Sequence, residues 1–102
     1  MILAIDFDNT IHDIKNPVEG KRMGAPLEGA KEALSRFKSD GHTILIHTVR
    51  AQTEAGRCVV IDWLHHYEIP FDDVVWGKPQ ASFYIDDKAI YFESWDSLKL
   101  RD

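Results

Sequence analysis

The chain opens on an unbroken apolar run, Ile2-Leu3-Ala4-Ile5, that stops at Asp6-Phe7-Asp8-Asn9-Thr10. Such a run reads as a strand buried on both faces, the kind found in parallel sheets. Thr43-Ile44-Leu45-Ile46-His47 repeats the pattern and ends at Thr48. Asp73-Val74-Val75-Trp76 and Ser82-Phe83-Tyr84-Ile85 predict two more strands around a turn at Gly77-Lys78-Pro79, and Ala89-Ile90-Tyr91-Phe92 predicts a fifth. Between strands the period changes. From Pro26 onward, Leu27, Ala30, Ala33, Leu34 and Phe37 recur at helical spacing, with Lys31, Glu32, Arg36 and Lys38 on other faces, until Gly41. Gln52 to Tyr67 predicts a second helix with Val59, Val60, Trp63, Leu64 and Tyr67 as its core stripe, and Pro70 stops it. Trp95 to Leu100 predicts a last helical turn. Residues 11–25 hold Pro17, Gly20 and Gly24 among mixed charges and keep no period. They predict a loop or short hairpin, and their place after the acidic pair makes them a flap over a site.

Strands alternating with helices predict a single α/β domain over residues 1–102, with a mainly parallel sheet and right-handed crossovers. A hydrophobic content of 44% is enough for a core without staples. The net charge of −5 argues against a broad footprint on nucleic acid, leaving room for a small basic site. One cysteine, Cys58, rules out an internal disulfide or a multi-cysteine zinc site; it reads as a small core residue in a reducing compartment. The first apolar run is too short for a secretory or membrane-spanning segment, so a cytoplasmic protein with no membrane contact is expected.

Charge placement gives the chemistry. In extended chain, residues two apart share a face, so Asp6 and Asp8 can point into one small volume. Two like charges that close need a cation or a shared proton. Ligands of open α/β sheets bind beyond the carboxyl ends of strands, where Asp6, Asp8, Thr48, Asp86 and Asp87 all fall, with Lys78 in the turn before the fourth strand. This set suits phosphoryl transfer. A carboxylate can attack phosphorus and form an aspartyl-phosphate. Mg²⁺ can separate it from the phosphate charge, and a lysine and a hydroxyl can stabilise phosphoryl oxygens. A second carboxylate can protonate the leaving oxygen and later deprotonate water.

The sequence resembles the haloacid dehalogenase-like phosphohydrolase superfamily. Asp6-Phe7-Asp8-Asn9-Thr10 resembles its DxDxT motif, and Ile44 to Thr48 its hydrophobic strand ending in Thr or Ser. Lys78 in Gly77-Lys78-Pro79 is similar to its lysine motif, and Tyr84-Ile85-Asp86-Asp87 to its paired acids, all in the family's order. The resemblance implies a Rossmann-like three-layer α/β/α sandwich with about five strands. It makes Asp6 the nucleophile and an Mg²⁺ ligand, Asp8 the general acid/base with its backbone carbonyl on the metal, and Asp86 the third anchor. Thr48 and Lys78 then hold the phosphoryl group, and Asp87 acts through water or orients Lys78. Asn9 shapes the turn and faces substrate, and Thr10 supports the nucleophile by a backbone or side-chain hydrogen bond; Arg50, two residues past Thr48, reads equally as a contact to a phosphate or substrate group and as a surface residue. No stretch between motifs can hold a cap domain. An open site suits a large or protruding phosphorylated substrate, either a small molecule or a macromolecular end, unless a second copy of the chain covers it. The reading is an Mg²⁺-dependent phosphomonoester hydrolase. Its competitors are a phosphoacceptor domain of the response-regulator type, a regulatory or protein-binding domain with little turnover, and a phosphotransferase.

The remaining polar and aromatic residues read more plainly. His12 stands near the site but is taken as incidental, and His47 as packed or hydrogen-bonded inside its strand. His42 needs no role, and His65 and His66 are helix neighbours that do not share a face. Trp63, Trp76 and Trp95 read as packing, with Trp76 close enough to Lys78 to border the site.

Overall fold

The computed structural model describes residues 1–88 and 94–98. Strand β1 (Ile2–Asp6) is followed by β2 (His12–Pro17) and β3 (Gly24–Pro26), then α1 (Ala30–Ser39) and β4 (Thr43–His47). A 3-10 turn (Val49–Gln52), α2 (Glu54–His66), β5 (Asp73–Val75) and β6 (Phe83–Ile85) complete the order. Four strands form one parallel sheet in the order β5-β4-β1-β6, while β2 and β3 form a separate antiparallel hairpin. Residues 11–25 are thus a hairpin with its register shifted between His12 and Pro17.

The chain steps from β1 to β4 and on to β5 in one direction. Right-handed crossovers therefore bring both helices to the same face. Leu3 and Ile5 pair in register with Ile44 and Ile46, and Ile46 with Val74, so these five share that face. Ala30 and Leu34 of α1 and Val60, Trp63 and Leu64 of α2 close over them in one buried cluster. Each fully buried aliphatic side chain there contributes about 1.5–3 kcal/mol relative to exposure. The described residues supply a four-stranded parallel sheet, one helical layer and the separate hairpin. The fifth strand predicted at Ala89 to Phe92 lies outside them, as does much of the predicted last helix; Trp95–Ser97 is a turn.

Element ends depart from the periodic reading for local reasons. α1 starts at Ala30 rather than near Pro26, behind Gly29 at φ 86. Pro26 is taken by β3, and the Leu27 amide donates to the Ile11 carbonyl (2.7 Å), so the hairpin claims what the periodicity gave to the helix. The second helix is not continuous from Gln52. The chain leaves the 3-10 turn through extended Thr53, whose Oγ1 accepts the Gly56 amide (3.0 Å) as an N-cap. A side chain at Gly56 would run into the Arg50 carbonyl oxygen, so the close turn requires glycine. Val59 is 47% exposed instead of in the core, and Trp76 lies past β5, 62% exposed. Cys58 is exposed, contrary to the core reading, because it points away from the Val60–Leu64 stripe toward Glu54. Among the described residues, no helix is long and apolar enough to cross a membrane.

Candidate active site

The site begins with the reversal after β1. The Phe7 carbonyl accepts the amides of Thr10, Ile11 and His12 (3.3, 2.9 and 2.9 Å), and the Asn9 amide donates to the His12 carbonyl (2.8 Å). Asn9 takes φ 64, a left-handed conformation that asparagine tolerates better than most residues. The turn holds both acids at the strand end. The Thr10 Oγ1 is buried with no hydrogen-bond partner among the described residues, so of the two bonds expected of Thr10 the side-chain one to Asp6 is not made.

A cleft of about 390 Å³ lies beyond the strand ends, lined by Asp6, Asp8, Asn9, Thr48, Asp86 and Asp87, together with Ile14, Val49 and Lys88. Pairing of β6 with β1 is what sets the second acid pair beside the first. Two predicted residues do not line it. Arg50 is ion-paired to Asp8, and Lys78 is exposed with its Nζ 4.3 Å from the centroid of the Tyr84 ring. Lys88, which the sequence reading passed over, stands on the cleft wall instead.

Burial pushes the Asp6 carboxyl up, and the charges of Asp86 and Asp87 push the same way against the Phe7 amide and His47. His47 is the registered partner of Asp6 across β1 and β4, and its Nε2 is buried without a partner. Asp6, His47 and Asp86 offer ligand atoms that all lie within 4.8 Å of one another. That donor set could hold a divalent cation. The two carboxylates meet the oxygen preference of Mg²⁺, and the imidazole nitrogen adds a donor better suited to Mn²⁺ or Zn²⁺. Periodicity could not single out His47 as a neighbour of Asp6; only strand register does.

Asp8 is in the opposite electrostatic state. Burial alone would raise its carboxyl, but hydrogen bonds from Arg50 and His12, and the Arg50 charge, outweigh that and hold it below the usual range. Arg50 binds it as a fork, Nε to Oδ2 at 2.9 Å and Nη2 to Oδ1 at 3.2 Å, and His12 Nδ1 lies 2.8 Å from Oδ1. His12 is therefore not incidental. It is 2% exposed, stacked on Phe7 with ring centroids 5.1 Å apart. Its signal was its position four residues beyond Asp8 across an asparagine turn.

Thr48 is buried in extended conformation at the end of β4, and its Oγ1 accepts the Arg50 amide (3.2 Å). Its hydroxyl hydrogen remains available to a phosphoryl oxygen. The arrangement offers a carboxyl whose pKa is raised, one whose pKa is lowered and a hydroxyl donor around one open volume. No family model, curated protein or solved structure matches the chain.

Proposed function

We propose that this chain is a capless, haloacid dehalogenase-like phosphomonoester hydrolase that works with Mg²⁺ in the cytoplasm, on a Rossmann-like three-layer α/β/α core. The observation that carries the reading is the meeting of Asp6, Asp8, Thr48 and Asp86, from three separate strand ends, in one cleft. Asp6 attacks phosphorus and forms an aspartyl-phosphate while the P–O bond to the leaving group breaks. Asp8 delivers a proton to that leaving oxygen, then takes one from the water that cleaves the acyl-phosphate, and phosphate leaves with Asp6 restored. Thr48 donates its hydroxyl hydrogen to a phosphoryl oxygen. Asp6 and Asp86 would hold Mg²⁺, which would supply the positive charge that lets an anionic nucleophile approach an anionic phosphate. The resemblance assigns further neutralisation to Lys78, which must leave the Tyr84 ring to reach the cleft, whereas Lys88 already lines it.

Asp8 needs a proton before it can act as acid, and its depressed pKa favours the base role in water attack. Substrates with good leaving groups, which need no proton, are therefore the ones expected to turn over fastest. The test is Mg²⁺-dependent release of phosphate from p-nitrophenyl phosphate and from a panel of phosphorylated metabolites, peptides and oligonucleotide ends. Asp6→Asn should lower kcat by at least about 10³-fold. Undiminished turnover in that variant would refute the reading. A phosphorylated chain persisting for hours without turnover would point to the phosphoacceptor alternative.

A further inference from the structure

We propose that His12 is a positioning residue for Asp8: a neutral imidazole, its proton fixed on Nδ1 by the far strand of the hairpin, that sets the carboxylate's orientation for proton transfer. The proposal rests on the hydrolase reading. Its basis is a hydrogen-bond chain with one consistent direction. The Gly24 amide can only donate, and it lies 2.9 Å from His12 Nε2. Nε2 therefore presents its lone pair, the proton sits on Nδ1, and Nδ1–H donates to Asp8 Oδ1 at 2.8 Å. With Arg50 on both oxygens, the carboxylate accepts from three donors.

The imidazole itself has little freedom. Phe7 stacks on it with an interplanar angle of 15°, and Trp63 meets it edge-on with centroids 5.4 Å apart. Trp63 Nε1 in turn donates to the Gly24 carbonyl (2.9 Å), so one residue of β3 grips the histidine with its amide and the tryptophan with its oxygen. Gly24 must be glycine here, because a Cβ would collide with the carbonyl oxygens of Asp13 and Asn16. A buried histidine with both nitrogens satisfied is often only packing. Here the chain ends on the carboxylate assigned the proton transfer, so how the hairpin seats on α2 determines how Asp8 is aimed.

The experiment compares kcat/KM for p-nitrophenyl phosphate with that for ethyl phosphate, whose poor leaving group needs the proton. His12→Phe keeps the stacking and removes the donor. It should depress the ethyl phosphate value on the order of tenfold more than the p-nitrophenyl phosphate value. His12→Asn, whose amide can occupy the Nδ1 position, should recover most of the lost ethyl phosphate activity and so remove most of that difference. Equal losses on both substrates, or no rescue, would overturn the positioning role and leave the hydrolase standing. If wild-type protein turns over neither phosphate, the hydrolase reading fails and the proposal with it. Nitrogen NMR of the wild-type chain supplies a measurement independent of activity and of how the variants fold. It should show His12 protonated on Nδ1 alone, and the opposite tautomer would overturn the proposal.

Discussion

Asp6 and Asp8 stand two residues apart and carry opposite electrostatic burdens, which makes their contributions to stability opposite in sign. Burial and the neighbouring acids raise the Asp6 pKa above the 3.8 of a free aspartate, so the folded state binds its proton more tightly than the unfolded chain does. That contribution is fully present below pH 3.8 and is lost as pH rises through the folded value, leaving an ionised Asp6 as a net cost at neutral pH. Asp6→Asn should abolish turnover yet raise Tm by a few degrees, worth about 1 kcal/mol, in a thermal melt at pH 7 without divalent cation. Asp8 runs the other way. Its lowered pKa stabilises the fold above pH 3.8, and the benefit fades as pH falls through the folded value. Asp8→Asn should cost roughly 1–3 kcal/mol by denaturant titration, since Arg50 and His12 lose a charged acceptor. The acid pair itself was legible, because two carboxylates closing an apolar run stand out in any sequence. Its two unlike environments were not. They depend on His47 and Asp86, brought in by strand register, and on Arg50 and His12, of which only His12 left a signal in its spacing from Asp8.

At the level of elements, the strands were the most readable feature, since buried parallel strands are continuous apolar runs with little else to confuse them. Helix starts were least readable. Leu27 fits the helical stripe, yet its amide serves the hairpin, and the chain breaks at Thr53 inside what periodicity joins into one helix. One junction outside the cleft should matter for stability. Asp72 accepts Lys38 Nζ at 2.8 and 2.9 Å and the Ile44 amide at 2.7 Å, tying α1 to the start of β4. The Lys38 pair is more than a third exposed and contributes little on its own; the orphaned Ile44 amide carries the cost. Asp72→Ala should destabilise by about 1 kcal/mol in urea at pH 7. Lys38 and that amide lower the Asp72 pKa, so its contribution also exists above pH 3.8 and disappears below it. Wild type and variant should therefore converge in stability as pH falls through the lowered folded value, a convergence that paired denaturation curves would reveal.

For the molecule as a whole, a net charge of −5 and a cleft floored by four aspartates favour cations over anions until a metal arrives. Millimolar Mg²⁺ should stabilise wild type by the mass-action term, about 2.7 kcal/mol at a hundredfold excess over Kd, seen as a rise in Tm, and leave Asp86→Asn unmoved. Mn²⁺ should do better than Mg²⁺ in wild type and lose that advantage in His47→Ala, which calorimetric titration would resolve. Strand order adds a consequence about timing. β6 is the last of the four strands along the chain but pairs with the first, through Leu3–Phe83, Ala4–Tyr84 and Ile5–Ile85. Residues 2–75 already contain β1, β4, β5 and both helices, enough to collapse into the helical-face core. Asp86 therefore reaches Asp6 only through the pairing with the greatest separation in sequence, the slowest kind of contact to form. The proposed cation site would be assembled last in folding and opened first in local unfolding, with β6 amides exchanging ahead of those in β1 and β4.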